Sequence, residues 1–343
     1  MIKKSIAVVL VVVVIIFGYI KISAENPGKI ELDSSIQHQE SSPTIMPFHE
    51  LTIPSLNQRE YVSNLSELEE ISQSASYKSY LTSYDSDGLK INGLLTIPEG
   101  EKPKNGWPSV ILVHGYIPPS TYKTLEKYTS HVDYLASRGI VVFKIDLRGH
   151  GQSEGEASGA YYSSDYVVDV LNAYSALKDT SFVNKDNISL WGHSMAGNVV
   201  LRSVAANHNI KKAIIWAGAV YTYEDFAEYG ISDNSYRPPL DTDSERRRKR
   251  QEMFDTYGSF DQDSLFWRQV VPTNYLSNYS GEIRLFHAVD DPVVSIDYSR
   301  NLAGILDSLS INNSLYEYSQ GGHNITGDSF AQAMQKTVEL ILK

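Results

Sequence analysis

From residue 110 onward, short apolar runs alternate with longer segments of helical periodicity. The runs are rich in Val, Ile and Leu, as buried parallel strands are, and lie at residues 110–113, 140–145, 188–191, 213–217, 283–288 and 315–318. Between them, apolar positions at helical spacing predict helices at 129–138, 166–177, 195–207, 299–309 and 329–342. This alternation predicts an α/β fold, with a mostly parallel central sheet and helices on both faces.

The chain before this alternation is more polar. Residues 77–83 and 90–97 are strand-like, and the turn residues Asp85-Ser-Asp-Gly88 join them into a predicted hairpin. Residues 24–76 contain scattered prolines and no sustained period, so we expect a stalk or lead-in, with one short helix starting near 66–70. The predicted catalytic domain is therefore 77–343.

The first residues form a charged end followed by an apolar segment. Lys3 and Lys4 precede residues 5–20, which carry no charge. A signal peptide cleaved after Ala24 is one interpretation; an uncleaved membrane anchor over residues 1–23 is the other, and we favour the anchor. Both predict that the domain lies outside the cytoplasm, either held at the cell membrane or secreted.

Residues 218–281 interrupt the alternation. Connections in such sheets usually run about 2–6 residues, so an insertion of this length predicts a lid over the site. It includes the basic run 245–250, for which a solvated helix face is the first interpretation. Contact with an anionic polymer or an acidic substrate is the second.

Overall composition narrows the function classes. The 41 acidic and 30 basic residues give a net charge of −11, which argues against a nucleic-acid partner. The absence of cysteine excludes disulfides, thiolate metal sites and a cysteine nucleophile. The nine histidines show no metal-ligand spacing and no phosphate-binding loop is present, so we expect neither a metal nor a cofactor.

The motif Gly192-His-Ser-Met-Ala-Gly197 lies where a predicted strand meets a predicted helix. A G-x-S-x-G turn of this kind holds its serine in a strained conformation, with the hydroxyl clear of the sheet. Ala196 replaces the usual last glycine, and the position requires only a small side chain. Ser194 is therefore the predicted nucleophile.

A serine nucleophile needs a base and an acid, and both are expected after strands downstream of it. His323 follows the strand at 315–318, and the pair Asp290 and Asp291 follows the strand at 283–288. Asp291 is preferred as the acid because Pro-Val-Val follows it at the turn into the next helix, and Asp290 is the alternative. His323 would take the serine proton, and the acid would fix the imidazole tautomer.

Two donors are expected to stabilise the tetrahedral oxyanion. The backbone N–H of Met195 follows the nucleophile, and the second donor is expected from Tyr116, through its N–H or its hydroxyl. His193 adjoins Ser194 with its side chain directed away, so it is expected to line the pocket rather than act as the base. His114 and His150 are expected to brace glycine-containing loops.

These blocks, together with His114-Gly-Tyr-Ile-Pro, 146–155 and Asp291-Pro-Val-Val, resemble the α/β-hydrolases, specifically the prolyl oligopeptidase and acylaminoacyl-peptidase catalytic domain. The resemblance implies a Ser194–His323–Asp291 triad and hydrolysis of a peptide or acyl-ester substrate. Those peptidases carry an N-terminal β-propeller, for which residues 24–76 are too short. A serine peptidase is the first interpretation, and a carboxylesterase of the same fold and a non-catalytic surface binding protein are the alternatives.

Overall fold

A computed structural model of the protein describes residues 46–232 and 244–343. Its sheet has nine strands: β1 Glu69–Gln73, β2 Tyr77–Ser86, β3 Leu89–Pro98, β4 Trp107–Val113, β5 Val141–Ile145, β6 Val183–His193, β7 Lys212–Trp216, β8 Glu282–Ala288 and β9 Asn312–Tyr318. Their order across the sheet is β1-β2-β3-β5-β4-β6-β7-β8-β9. The strands from β5 to β9 run parallel, whereas β1, β2 and β3 pair antiparallel, and β3 meets β5 antiparallel. This is the predicted α/β fold.

The hairpin of β2 and β3 forms at the predicted turn. Ser86 pairs with Leu89, and the two residues between them, Asp87 and Gly88, have φ angles of 59° and 78°. Positive φ at both central positions matches the right-handed twist of the flanking strands. The antiparallel hairpin thus continues the sheet beyond β5.

The helices lie on both faces. They are α1 Ile53–Gln58, α2 Thr129–Ala136, α3 Asp165–Lys178, α4 Met195–Ala206, α5 Tyr223–Tyr229, α6 Ser244–Tyr257, α7 Leu265–Val270, α8 Asp297–Ser308 and α9 Asp328–Leu342. One core cluster packs α3, α4 and α8 against the sheet, and a second packs α2 and α9 against the other face. The central strands β4 and β6 are buried on both faces, so their apolar runs are nearly continuous.

The packed domain begins earlier than predicted. Residues 46–76 belong to the same compact unit as the rest, so the predicted stalk is wrong for this part. Ile53 and Leu56 of α1 are 1% and 2% exposed, and Asn57 donates to the Ala206 carbonyl at the end of α4. The expected helix near 66–70 is instead strand β1, because Glu69 and its neighbours pair with β2.

The predicted apolar N-terminal segment lies outside the described residues. Within residues 46–232 and 244–343, every helix is too short or too polar to cross a membrane. The anchor and the signal peptide therefore stay predictions.

The insertion 218–281 contains α5, α6 and α7 among its described residues. A small third core cluster forms there, with Met253, Phe266 and Trp267 packed beside Leu51 from the start of the described chain. The insertion thus has apolar packing of its own, and its residues Phe226, Ile231 and Met253 face the cavity described next.

Candidate active site

The turn at Ser194 has the strained geometry expected of a nucleophile. Ser194 has φ 56° and ψ −124°, a conformation that costs about 1–3 kcal/mol for a residue with a side chain. Its N–H donates to the Trp216 carbonyl on β7, and its carbonyl accepts from Gly197 in the first turn of α4. These backbone hydrogen bonds hold the turn between strand and helix.

Close approach of the backbone explains the small residues around the turn. A Cβ atom on Gly192 would lie 2.6 Å from the Ala196 carbonyl oxygen, and one on Gly197 would lie 2.8 Å from the Gly218 Cα. Ala196 itself is fully buried. Gly197, one position later than the last glycine of the usual motif, therefore packs closely against Gly218 after β7. Ala196 occupies the position of that last glycine, where a small side chain fits.

The structure brings Ser194, His323 and Asp291 together from three separate loops. Ser194 Oγ lies 2.9 Å from His323 Nε2, and His323 Nδ1 lies 2.8 Å from Asp291 Oδ2. The Asp291 side chain is fully buried and that of His323 is 16% exposed. Asp290 is exposed, and its carboxylate instead accepts from the Gly322 N–H at 2.8 Å.

The Asp291 carboxylate accepts four hydrogen bonds. Oδ1 accepts from the N–H groups of Val293 and Val294 at 2.8 and 3.0 Å, and Oδ2 accepts from His323 and from His287 Nε2 at 3.1 Å. Burial alone would raise the pKa of Asp291, but hydrogen bonds from His287 and His323 outweigh it and hold that pKa well below its usual range. The carboxylate therefore stays ionised opposite His323.

His287 is a second histidine on this carboxylate that the sequence motifs do not reveal. It is fully buried at the end of β8, and its Nδ1 lies 2.8 Å from Ser299 Oγ on α8. The only sequence signal is a histidine in the otherwise apolar end of a strand, four residues before Asp291. Its partners fix the direction in which Asp291 presents its second oxygen.

Both expected oxyanion residues lie at the same cavity as Ser194. Met195 is the first residue of α4, where backbone N–H groups have no partner within the helix, and Tyr116 lines the cavity from the loop after β4. The N–H of the preceding Gly115 donates to the Tyr128 hydroxyl at 2.9 Å, so it is already engaged.

His114 and His150 brace the neighbouring loops. His114 Nε2 accepts from the Leu147 N–H at 3.2 Å, and His150 Nε2 lies 3.1 Å from the Ile117 carbonyl. Burial lowers the pKa of both imidazoles.

Ser194 and His323 open onto a cavity of about 1180 Å³. Its apolar lining includes Tyr116, Tyr161, Phe226, Ile231, Met253 and Val293. Arg246, Lys249 and Arg250 of α6 border the cavity as well; Lys249 and Arg250 are exposed, as expected for a solvated helix face, and Arg246 is partly buried. Lys249 pairs with Glu245 at 3.4 Å, and the Arg250 guanidinium lies 4.3 Å from the Tyr162 ring centroid.

One buried arginine organises the cavity wall. Arg202 on α4 donates to the carbonyls of Ala160 at 3.0 Å and of Leu51 at 2.8 Å, and also to that of Ser163. It is 2% exposed. Arg202 thus ties the helix behind the nucleophile to the 158–164 loop and to the start of the described chain, which the sequence alone does not indicate.

Comparisons with known proteins agree with this architecture. Residues 107–232 match the family model described as serine aminopeptidase, S33. That segment includes Tyr116 and Ser194 and ends before Asp291 and His323. Among curated proteins, the chain is 26% identical over 160 residues to the uncharacterized protein YfhR of Salmonella typhimurium, covering 44% of this chain and 52% of that protein. The chain thus spans about half the length of this relative.

Two solved structures share the fold. An acetyl xylan esterase from Paenibacillus sp. R4 superposes with a TM-score of 0.60 at 18% identity, covering 84% of this chain and 91% of the esterase. Dipeptidyl peptidase 4 of Porphyromonas gingivalis superposes with a TM-score of 0.60 at 19% identity, covering 78% of this chain and 35% of the peptidase. Together the sheet topology and these structures show that the chain has the α/β-hydrolase fold, and residues 107–232 are similar to the serine aminopeptidase family.

Proposed function

We propose that this protein cleaves a carboxylic ester or amide through an acyl-enzyme on Ser194, with His323 as the base and Asp291 as its partner. The observation that carries the proposal is the continuous pair of contacts, 2.9 Å from Ser194 Oγ to His323 Nε2 and 2.8 Å from His323 Nδ1 to Asp291 Oδ2. A serine hydroxyl is a weak nucleophile until an adjacent base accepts its proton. This arrangement supplies that base and fixes its tautomer.

The reaction has two halves. Ser194 Oγ attacks the acyl carbonyl while its proton passes to His323 Nε2, and the imidazolium then protonates the departing alcohol or amine. Water next attacks the acyl-serine, gives its proton to His323, and releases the acid and the free Ser194 hydroxyl. Asp291 stays ionised throughout and stabilises the imidazolium, consistent with the four hydrogen bonds that its carboxylate accepts.

The developing oxyanion would be held by backbone N–H groups. Met195 supplies one from the start of α4, where the helix dipole also favours negative charge. Tyr116 supplies the other from the loop after β4, where it lines the same cavity as Ser194. Loss of one such donor typically lowers kcat by about 10²–10³-fold.

A carboxylic ester is the first candidate substrate. The match to the acetyl xylan esterase covers 91% of that enzyme, so the two proteins share nearly their whole described architecture. The match to the dipeptidyl peptidase covers 35% of that enzyme, which leaves most of the peptidase without a counterpart in the superposition. The apolar and aromatic lining of the cavity near Ser194 suits an acyl group.

A serine peptidase is the second candidate, favoured by the match of residues 107–232 to the serine aminopeptidase model. A nitrophenyl ester and a nitroanilide of the same acyl group separate the two. We expect hydrolysis of the ester with little turnover of the anilide. Comparable kcat/KM on the two would reverse the order of the candidates.

A fluorophosphonate probe tests the enzyme itself, because it phosphonylates only an activated serine. We expect labelling of the wild-type protein at Ser194 and none in Ser194→Ala. Ser203→Ala is the matched control: it removes another serine hydroxyl of the same region, one that donates to the Val199 carbonyl within α4. A folded wild-type protein that resists labelling would leave the non-catalytic binding protein as the better description.

We also propose that the catalytic domain is exported, on the evidence of Lys3, Lys4 and the uncharged residues 5–20. The test compares the full chain with one that lacks residues 1–23, by fractionation of expressing cells. We expect the full chain in the membrane or outside the cell and the shortened chain in the cytoplasm. Equal distribution of both would remove the proposal.

A further inference from the structure

A chain of three hydrogen bonds joins the loops that carry the proposed catalytic groups. The Gly115 N–H meets the Tyr128 hydroxyl at 2.9 Å, and that hydroxyl meets His193 Nδ1 at 2.9 Å. His193 Nε2 then meets the His323 carbonyl oxygen at 2.9 Å. These hydrogen bonds therefore run from the loop after β4 that contains Gly115 and Tyr116, here called the oxyanion loop, through His193 to the backbone of the proposed base, His323.

The protons in this chain can be assigned from its two ends. A backbone N–H only donates, so the Tyr128 oxygen accepts from Gly115 and its single proton goes to His193 Nδ1. A backbone carbonyl only accepts, so His193 Nε2 carries the proton that meets His323. His193 is thereby fixed as the neutral tautomer with the proton on Nε2.

The surroundings keep His193 neutral. Burial, reinforced by the nearby His323, lowers the pKa of His193 to about 3. Its ring centroid lies 4.8 Å from that of His323. The direction of every hydrogen bond in the chain therefore persists over the range in which serine hydrolases operate.

Tyr128 is held firmly enough to act as the link. Its φ is 58°, a left-handed conformation that is costly for a bulky residue, and its carbonyl accepts from the Val132 N–H to start α2. Its ring packs edge-on against Trp191 at 5.7 Å and His193 at 5.8 Å between centroids. The packing that holds this strained backbone in place also fixes the position of the Tyr128 hydroxyl.

His193 restrains the loop that carries His323. Gly321 and Gly322 precede the histidine with φ angles of 147° and 59°, and glycine adds little stiffness to the backbone. The His193 contact anchors the His323 carbonyl directly. A catalytic group that moves by about 1 Å can cost about 10²-fold in rate.

We propose that Tyr128 and His193 are positioning residues, which hold the oxyanion loop and the His323 backbone in register with Ser194. This inference rests on the proposed hydrolase function. Neither side chain exchanges a proton with the substrate. Tyr128 holds the His114–Gly115 peptide, directly before Tyr116, and His193 orients the residue that carries the base.

The kinetic test uses Tyr128→Phe with Tyr84→Phe as its matched control. Tyr84 is also a tyrosine whose buried hydroxyl makes a 2.9 Å hydrogen bond, to the Asp169 carbonyl, far along the chain from the proposed site. On an acyl ester, we expect Tyr128→Phe to lower kcat by about 10–10²-fold with KM changed by less than about threefold. Tyr84→Phe should keep the wild-type kcat, and equal kcat in the two variants at equal melting temperature would overturn the proposal.

Substitution of His193 tests the hydrogen bond that its Nε2–H donates to the His323 carbonyl. His193→Gln can still donate to the His323 carbonyl, whereas His193→Phe offers neither donor nor acceptor. We expect kcat to fall in the order wild type, His193→Gln, His193→Phe, and His193→Gln to bind a phenylboronic acid, which forms a tetrahedral serine adduct, more tightly than His193→Phe does. The same kcat and boronate affinity in both variants would contradict the proposal. These variants also serve if Tyr128→Phe does not fold.

Nitrogen-15 NMR of the wild-type histidines tests the network independently of turnover. We expect His193 to show protonated Nε2 and unprotonated Nδ1 from about pH 5 to about pH 8, where an unperturbed histidine titrates. A proton on Nδ1, or titration within this range, would overturn the network even in an active enzyme. Failure of the fluorophosphonate to label wild-type Ser194 would instead overturn the proposed function and leave this tautomer result standing.

Discussion

Asp291→Asn removes one charge and one acceptor from the proposed site while keeping the size of the side chain. In the wild type, four N–H groups point at the two carboxylate oxygens, two backbone groups at Oδ1 and two imidazoles at Oδ2. An amide has one oxygen and one NH₂ group, so it can accept on one side only. The variant must therefore break one pair of hydrogen bonds or the other.

The two orientations have different costs. If the NH₂ group faces His323, the imidazole must accept through Nδ1 and carry its proton on Nε2, where it cannot take the proton of Ser194; a base held in the wrong tautomer lowers kcat by about 10⁴-fold. If the NH₂ group faces Val293 and Val294, two backbone N–H groups lose their acceptor, at about 1–3 kcal/mol each. We expect the first orientation to prevail, because the second costs several kcal/mol of stability.

The assay compares kcat on an activated ester for wild type, Asp291→Asn and Asp290→Asn. We expect a loss of about 10⁴-fold for Asp291→Asn, equivalent to about 5.5 kcal/mol in the activation free energy. Asp290→Asn is the matched control, since its amide oxygen can still accept from the Gly322 N–H. Its kcat should stay within a few-fold of wild type. The reverse pattern, with Asp290→Asn inactive and Asp291→Asn active, would refute the assignment of the acid.

Three further predictions concern stability. The folded-state pKa of Asp291 is held below its unfolded value of about 3.9, so the carboxylate contributes to the free energy of unfolding above that pH and loses this contribution as the pH falls. In urea unfolding, the difference in free energy of unfolding between wild type and Asp291→Ala should be smaller at about pH 3 than at about pH 7. A difference independent of pH would contradict this linkage. Gly197→Val should lower the free energy of unfolding by about 1–3 kcal/mol and abolish fluorophosphonate labelling, because its Cβ would lie 2.8 Å from the Gly218 Cα. A stable variant that is still labelled would count against this packing. Lys144→Met should lower the free energy of unfolding in urea by about 3–5 kcal/mol, because it leaves the buried Asp146 carboxylate without its cation. In the wild type, the Lys144 ammonium lies 3.6 Å from this carboxylate. A loss near zero would mean that this carboxyl is neutral in the folded protein.

Much of the fold follows from local sequence. The apolar runs of β4, β5, β7 and β8 predict strands because each is buried on both faces, and Asp87-Gly88 predicts the hairpin because both positions require positive φ. The positions after strands identify Ser194, Asp291 and His323 as candidates, because the carboxyl ends of parallel strands meet at one edge of the sheet. These inferences depend on residues close together in the chain.

Local pattern misleads where partners are distant. Residues 46–58 look like a stalk because their few apolar side chains, Ile53 and Leu56 among them, are separated by polar ones, yet α4 buries them. Residues 69–73 form a strand rather than a helix because the edge of β2 offers hydrogen bonds to them. Neither outcome can be predicted from the segment alone, because its partner determines it.

The sequence by itself determined the alternation of strands and helices and the three residues of the proposed triad, because periodicity and strand-end motifs are written in consecutive positions. Only the tertiary structure decided that His287 shares Asp291 with His323, that Tyr128 and His193 link the oxyanion loop to His323, and that Arg202 binds the cavity wall. The contacts Tyr128–His193, His193–His323 and Arg202–Leu51 join residues 65, 130 and 151 positions apart, and His287 depends on a loop that returns Asp291 to the strand end. Such hydrogen bonds depend on distances in space, which the order of residues along the chain does not encode directly.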